Sequence, residues 1–169
     1  MFPIVILIFG MLLVLFCSSP RFENVSNSIP EYGAIAFGVP AFLSCMGIGI
    51  LYRKYIGKFV RNPLLFGKLL SLGTKPLTGA IFGLLIAFFI FGLPSPNGSG
   101  LGYDIDVSLR AAIFMSIGGL GGLITAFLQT TVKDIGVLKG YKKALIRGTV
   151  GDAISIIFFI LAYFSIENI

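Results

Sequence analysis

Five apolar stretches, separated by short polar or turn-forming segments, run the length of this chain and decide which solvent it can fold in. They cover residues 2–17, 32–52, 76–93, 108–132 and 149–166. Crossing about 30 Å of hydrocarbon takes roughly 20 apolar residues, and fewer in a thin bilayer, so each stretch qualifies or nearly does. Backbone groups in lipid have no water to bond and must satisfy one another, which makes the spans helices. Only 12% of the 169 residues are charged and 56% are hydrophobic. A soluble domain carries about 25% charged residues, and a water-soluble core this small cannot hide so much apolar surface. The predicted fold class is therefore all-α: a polytopic membrane bundle forming a single domain over 1–169. It has five transmembrane helices, or four if the first segment is a cleaved signal.

The first stretch needs separate treatment because a secretory signal has a similar profile. Cys17, Ser18 and Ser19 are small enough to flank a cleavage site. No Lys or Arg precedes the stretch, however, and Pro20 follows the most plausible scissile bond. Bulky Phe16 also argues against a lipoprotein signal at Cys17. A retained span is the expectation.

Charge in the loops predicts orientation. The connection 53–75 carries Arg53, Lys54, Lys58, Arg61, Lys68 and Lys75 with no acid, and 133–148 carries Lys133, Lys139, Lys142, Lys143 and Arg147 opposed by Asp134 alone. Lys and Arg accumulate on cytoplasmic loops, so both basic loops are expected inside. The N-terminus is then cytoplasmic if the first span is retained, and the C-terminus is outside. A prokaryotic plasma membrane is the simplest home for so short a chain with so clear a bias. The net charge of +6 is accounted for by orientation and anionic headgroups rather than by nucleic acid. Arg53, Lys54, Lys58, Arg61, Lys68, Lys139, Lys142, Lys143 and Arg147 are the expected lipid or partner contacts. Within 53–75, apolar Tyr55, Ile56, Phe59 and Val60 alternate with Lys58 and Arg61, and after Pro63 the residues Leu64, Leu65, Phe66, Leu69 and Leu70 continue the apolar content around Lys68, which predicts a short interfacial helix in this loop. The outer loop, 94–107, is rich in Pro, Gly, Ser and Asn and reads as a turn region. Asp104 and Asp106 near its end read as solvated charge, Asp106 being spaced to pair with Arg110.

Three spans carry small residues every fourth position, hence on one helix face: Ala41, Cys45 and Gly49; Gly79, Gly83 and Ala87; Gly118, Gly122 and Ala126. Helices in lipid associate through close backbone approach rather than a hydrophobic drive, and such stripes permit it. They are the predicted helix-packing residues, whether they meet inside the monomer or leave one face for another subunit. Pro40 within the second span predicts a fixed bend, because it withholds a donor from the Ala36 carbonyl. The two hairpins also resemble each other in plan, with Lys75–Ile81 loosely echoing 147–154.

Chemistry is sparse. The chain has no histidine, which removes the commonest general base and metal ligand together. Cys17 and Cys45 lack metal-ligand spacing and read as packing residues. No cofactor, metal site or catalytic residue is expected, nor an enzyme. Asp152 is the acid set inside a span, a functional-site candidate by default. It also has a structural reading, as the acid of a capping box begun by Thr149 at a helix N-terminus. Gln129, Thr130 and Thr131 could line a polar vestibule with it as an ion or proton site. Two functions follow. The favoured one is a small structural or assembly subunit of a larger membrane complex, partnered by other subunits or by itself. The alternative is a small oligomeric transporter or channel using Asp152.

Overall fold

The computed structural model describes residues 28–62, 65–92 and 105–167, all of it helical apart from short connections. The helices are α1 (Ser28–Arg61), α2 (Phe66–Thr74), α3 (Thr78–Gly92), α4 (Ile105–Thr130) and α5 (Leu138–Glu167), and a single 3-10 turn, Lys75–Leu77, joins α2 to α3. Four segments among the described residues are long and apolar enough to cross a membrane: Glu31–Lys58, Phe66–Phe91, Asp106–Thr130 and Leu138–Ile166. The predicted first span, 2–17, lies outside the described residues, as does the outer loop up to residue 104.

Two expectations change. Residues 55–61 are the last turns of α1, which continues without a break to Arg61, so the short helix of this loop is confined to the residues after Pro63. Nothing in Tyr55–Arg61 breaks a helix before Pro63, and Lys58 and Arg61 suit the negative end of the α1 dipole. The described part of the loop beyond it, Phe66–Thr74, is α2, which buries Leu69, Leu72 and Gly73 and leads directly into the third span. The second change is at α5, which begins at Leu138 rather than near 149. Lys139, Lys142, Lys143 and Arg147 therefore sit on its opening turns, not in a loop. Burial explains the early start: Ala144 is fully enclosed, with Tyr141 and Leu145 packed beside it.

The bundle is organised around α4, which packs along α1 on one side and α5 on the other, while α3 touches all three. Its interior has three layers. At the end away from the basic residues, Ala36, Ile86, Ile90, Ala111, Ala112, Met115 and Ala162 form an apolar core. Stacked Phe82 and Phe159 (centroids 4.7 Å apart) and edge-on Phe89 and Tyr163 join α3 to α5 beside it. At the basic end Leu51, Tyr55, Leu69, Leu72, Val132, Ile135 and Ala144 form a second core. Between them lies a waist of small and polar residues where the backbones come closest.

The waist shows why glycines are needed. A Cβ on Gly83 would stand 2.5 Å from the Ala36 carbonyl oxygen, and one on Gly119 would stand 2.6 Å from Pro40 Cα. Pro40 removes the partner of the Ala36 carbonyl, and Gly83 is the residue that lets α3 approach that bared group. On the opposite side of α4, Gly121 faces Gly151 and Ser155 of α5, with Ser155 Oγ donating to the Gly118 carbonyl at 2.9 Å.

Candidate functional site

Polar side chains gather on the basic side of the waist, where the third span breaks. Pro76 has no N–H to continue the α2 ladder, so the chain tightens into the 3-10 turn, with Lys75 N donating to the Leu72 carbonyl. The turn presents Lys75 and Thr78 toward α5. Lys75 Nζ lies 2.9 Å from Asp152 Oδ2, and Thr78 Oγ1 donates to Asp152 Oδ1 at 3.1 Å. The Asp152 side chain is 13% exposed and that of Lys75 33%. Charge and shape agree here, since a carboxylate inside a bundle needs a cation or donors on both oxygens.

This geometry overturns the capping-box reading of Asp152. Thr149 is not at a helix start, because α5 begins at Leu138, and its hydroxyl donates back to the Ile146 carbonyl at 2.7 Å. At 1.5 Å per residue Asp152 stands about 20 Å along α5, well away from the N-terminal dipole. A cross-helix ion pair holds it instead.

The other proposed partners of Asp152 follow one another at the end of α4. Thr130 and Thr131 spend their hydroxyls on their own helix, donating to the Phe127 and Leu128 carbonyls at 2.7 Å each. Thr131 also accepts from Arg147 at the surface. Gln129 is fully buried beside Gly148, with neither its amide nitrogen nor its oxygen hydrogen-bonded. Thr125, one turn earlier, donates to the Gly148 carbonyl at 2.9 Å. Lys75 and Thr78 are the site residues that sequence reasoning did not select. The signal was available: a buried acid needs a cation, and Lys75 is the base adjoining a span with a proline beside it.

Several basic residues turn out to be structural. The end of α4 carries the negative end of its dipole, and side chains of α1 and α2 donate to carbonyls there and in the connection that follows. Tyr55, buried in α1, donates its hydroxyl to the Gln129 and Val132 carbonyls at 2.9 and 2.6 Å. Lys54 caps the Thr130 carbonyl, Lys58 the Lys133 carbonyl, and Lys68 the Gly136 carbonyl at 2.7 Å. Arg53, Arg61, Lys139, Lys142 and Lys143 remain exposed.

The three small-residue stripes fare differently. Gly79, Gly83 and Ala87 of α3 are buried, as are Gly118, Gly122 and Ala126 of α4. In α1 Ala41 is buried, but Cys45 is half-buried and Gly49 is exposed, with nothing near where a Cβ would be. The packed face of α1 runs instead through Ala36, Pro40, Ser44, Gly47 and Leu51, which leaves Gly38 and Gly49 open on the other side.

Residues 33–90 match the family model of the ATP synthase C subunit. That stretch takes in most of α1, all of α2 and most of α3, and none of α4 or α5. No curated protein matches the chain. Four apolar helices of spanning length, together with this match to a membrane protein family, make the chain an integral membrane protein.

Proposed function

We propose that this protein is a small, non-catalytic subunit of a larger membrane protein complex, joined to its neighbours through a glycine-bearing helix face. The carrying observation is the match of the α1–α3 hairpin to a family of membrane-complex subunits. Within that hairpin, Gly38 and Gly49 lie open on the outward face of α1. The outward faces of all four spans carry large apolar side chains, among them Phe42, Met46, Ile81, Ile113, Phe127 and Ile157, and the two open glycines of α1 interrupt that cover. Residues 33–90 contain no acid, so the matched hairpin brings no carboxylate of its own for an ion. Asp152 is already neutralised by Lys75, which favours the subunit reading over a transporter working through that carboxylate.

The basic end faces the cytoplasm in this account, in a prokaryotic plasma membrane, following the charge bias. Exposed Arg53, Arg61, Lys139, Lys142 and Lys143 meet anionic headgroups there, each worth about 1 kcal/mol near such a surface. The test is Gly49→Leu. It should leave the monomer folded, because the position is open, yet remove the protein from its native assembly on blue-native gels. Unchanged assembly with Gly38→Leu and Gly49→Leu together would refute the α1 interface.

A further inference from the structure

Gln129 poses a problem that the rest of the bundle does not solve. Its side chain is 0% exposed, and neither polar atom has a hydrogen-bond partner. Leaving a buried amide unpaired is costly, because its donors and acceptor give up water and gain no partner. The surroundings indicate where partners come from. A Cβ built on Gly148 would lie 2.8 Å from Gln129 Nε2, so the amide lies over an α5 position that lacks a side chain. Asp152 follows Gly148 by four residues, one turn along the same face of α5. Helical side chains lean toward the N-terminus, which tilts the Asp152 carboxylate toward Gly148 and hence toward the amide.

The chemistry of the two groups is complementary. Asp152 accepts one bond on each oxygen, from Lys75 and Thr78. A carboxylate has about four lone-pair sites, so two remain, and the Gln129 amide has two unused N–H donors. Gly148, beside the amide, and Asp152 are one helical turn apart, a rise of about 5.4 Å that one or two waters with O–H···O lengths near 2.8 Å can bridge. Buried waters occupy such places, where two to four polar groups surround them.

We infer that Gln129 and the Asp152–Lys75 pair share a small internal water site inside the bundle, above Gly148. These waters satisfy the amide and link α4 to the broken third span through α5. The ligand class is water alone, since the Lys75 ammonium supplies the countercharge that a bound cation would otherwise provide. The site holds whether or not the chain is a complex subunit.

Gln129 is the single glutamine of the sequence, so selective side-chain ¹⁵N labelling gives one unambiguous amide signal. In the full chain reconstituted in lipid nanodiscs, that NH₂ should receive magnetisation from water and take up deuterium within minutes, despite its complete burial. An amide that shows no water transfer and keeps its protons for hours overturns the proposal. A second measurement is independent of that spectrum. Gln129→Met, nearly isosteric and apolar, should lower the melting temperature, and its effect should not add to that of Asp152→Asn, because both remove the same waters. If the amide were dry, Gln129→Met would instead raise the melting temperature by deleting an unpaired buried group. A rise, or strict additivity with Asp152→Asn, overturns the shared site.

Discussion

Gly151→Ala is the smallest change that attacks the waist directly. A methyl there would stand 2.7 Å from Thr125 N, and nearer still to the Gly121 carbonyl oxygen and Thr125 Oγ1. Heavy atoms pack at about 3.5 Å, so α4 and α5 would have to part by about an ångström. Two of the obstacles are backbone atoms, which cannot rotate away. Parting the helices stretches the Thr125-to-Gly148 and Ser155-to-Gly118 hydrogen bonds, both 2.9 Å, beyond useful length. Each net bond is worth about 0.5–1.5 kcal/mol, and overpacking adds about 1–3 kcal/mol. A loss of about 3 kcal/mol follows, roughly a hundredfold in the unfolding equilibrium, reduced by the fraction of a kcal/mol that alanine gains over glycine in a helix. The matched control is Gly49→Ala, where nothing lies within 4 Å and only the propensity gain remains. Denaturant-induced loss of helical circular dichroism in mixed micelles would compare the two. If Gly151→Ala unfolds no earlier than wild type, or Gly49→Ala costs as much, the α4–α5 crossing is not as described.

Other outcomes follow from the same geometry. Lys75→Met leaves the Asp152 carboxylate with Thr78 alone, and should destabilise by about 1–3 kcal/mol, while the pair Lys75→Met with Asp152→Leu recovers most of the loss in equilibrium unfolding. Tyr55→Phe strips the hydroxyl donor shared by the Gln129 carbonyl of α4 and the Val132 carbonyl just beyond it, and should cost about 1–2 kcal/mol by the same assay. For orientation, Lys142→Cys should react with a membrane-impermeant thiol reagent only after the cells are opened. Labelling of intact cells would invert the assigned sidedness.

Much of the architecture was legible because lipid imposes a simple rule: an apolar run of spanning length becomes a helix. The stripes of α3 and α4 were legible for a related reason, since their small residues lie where helices converge. The α1 stripe misled because periodicity gives a face but not its neighbour. Pro40 and Ser44 form the contact with α4, and Gly49 lies on the other side. The start of α5 was misplaced because lysines looked like loop, whereas buried Ala144 and Tyr141 beside it carry the helix back to Leu138. That single shift changed the meaning of Asp152 from a helix cap to one half of an ion pair. Its partner was hidden because Lys75 is 77 residues away in sequence, and only the break at Pro76 turns it inward. The bonding of Lys54, Lys58 and Tyr55 to carbonyls at the end of α4 and just beyond it was hidden likewise, since a cation above a headgroup and a cation on a carbonyl have the same sequence.

The central claim is membership of a larger membrane complex. Gentle detergent extraction of the tagged chain from its native membrane, followed by native mass measurement of the purified particle, tests it most directly. The account predicts foreign membrane subunits in fixed ratio to this chain, lost on Gly49→Leu. A particle containing this chain alone, as monomer or homo-oligomer, would contradict it.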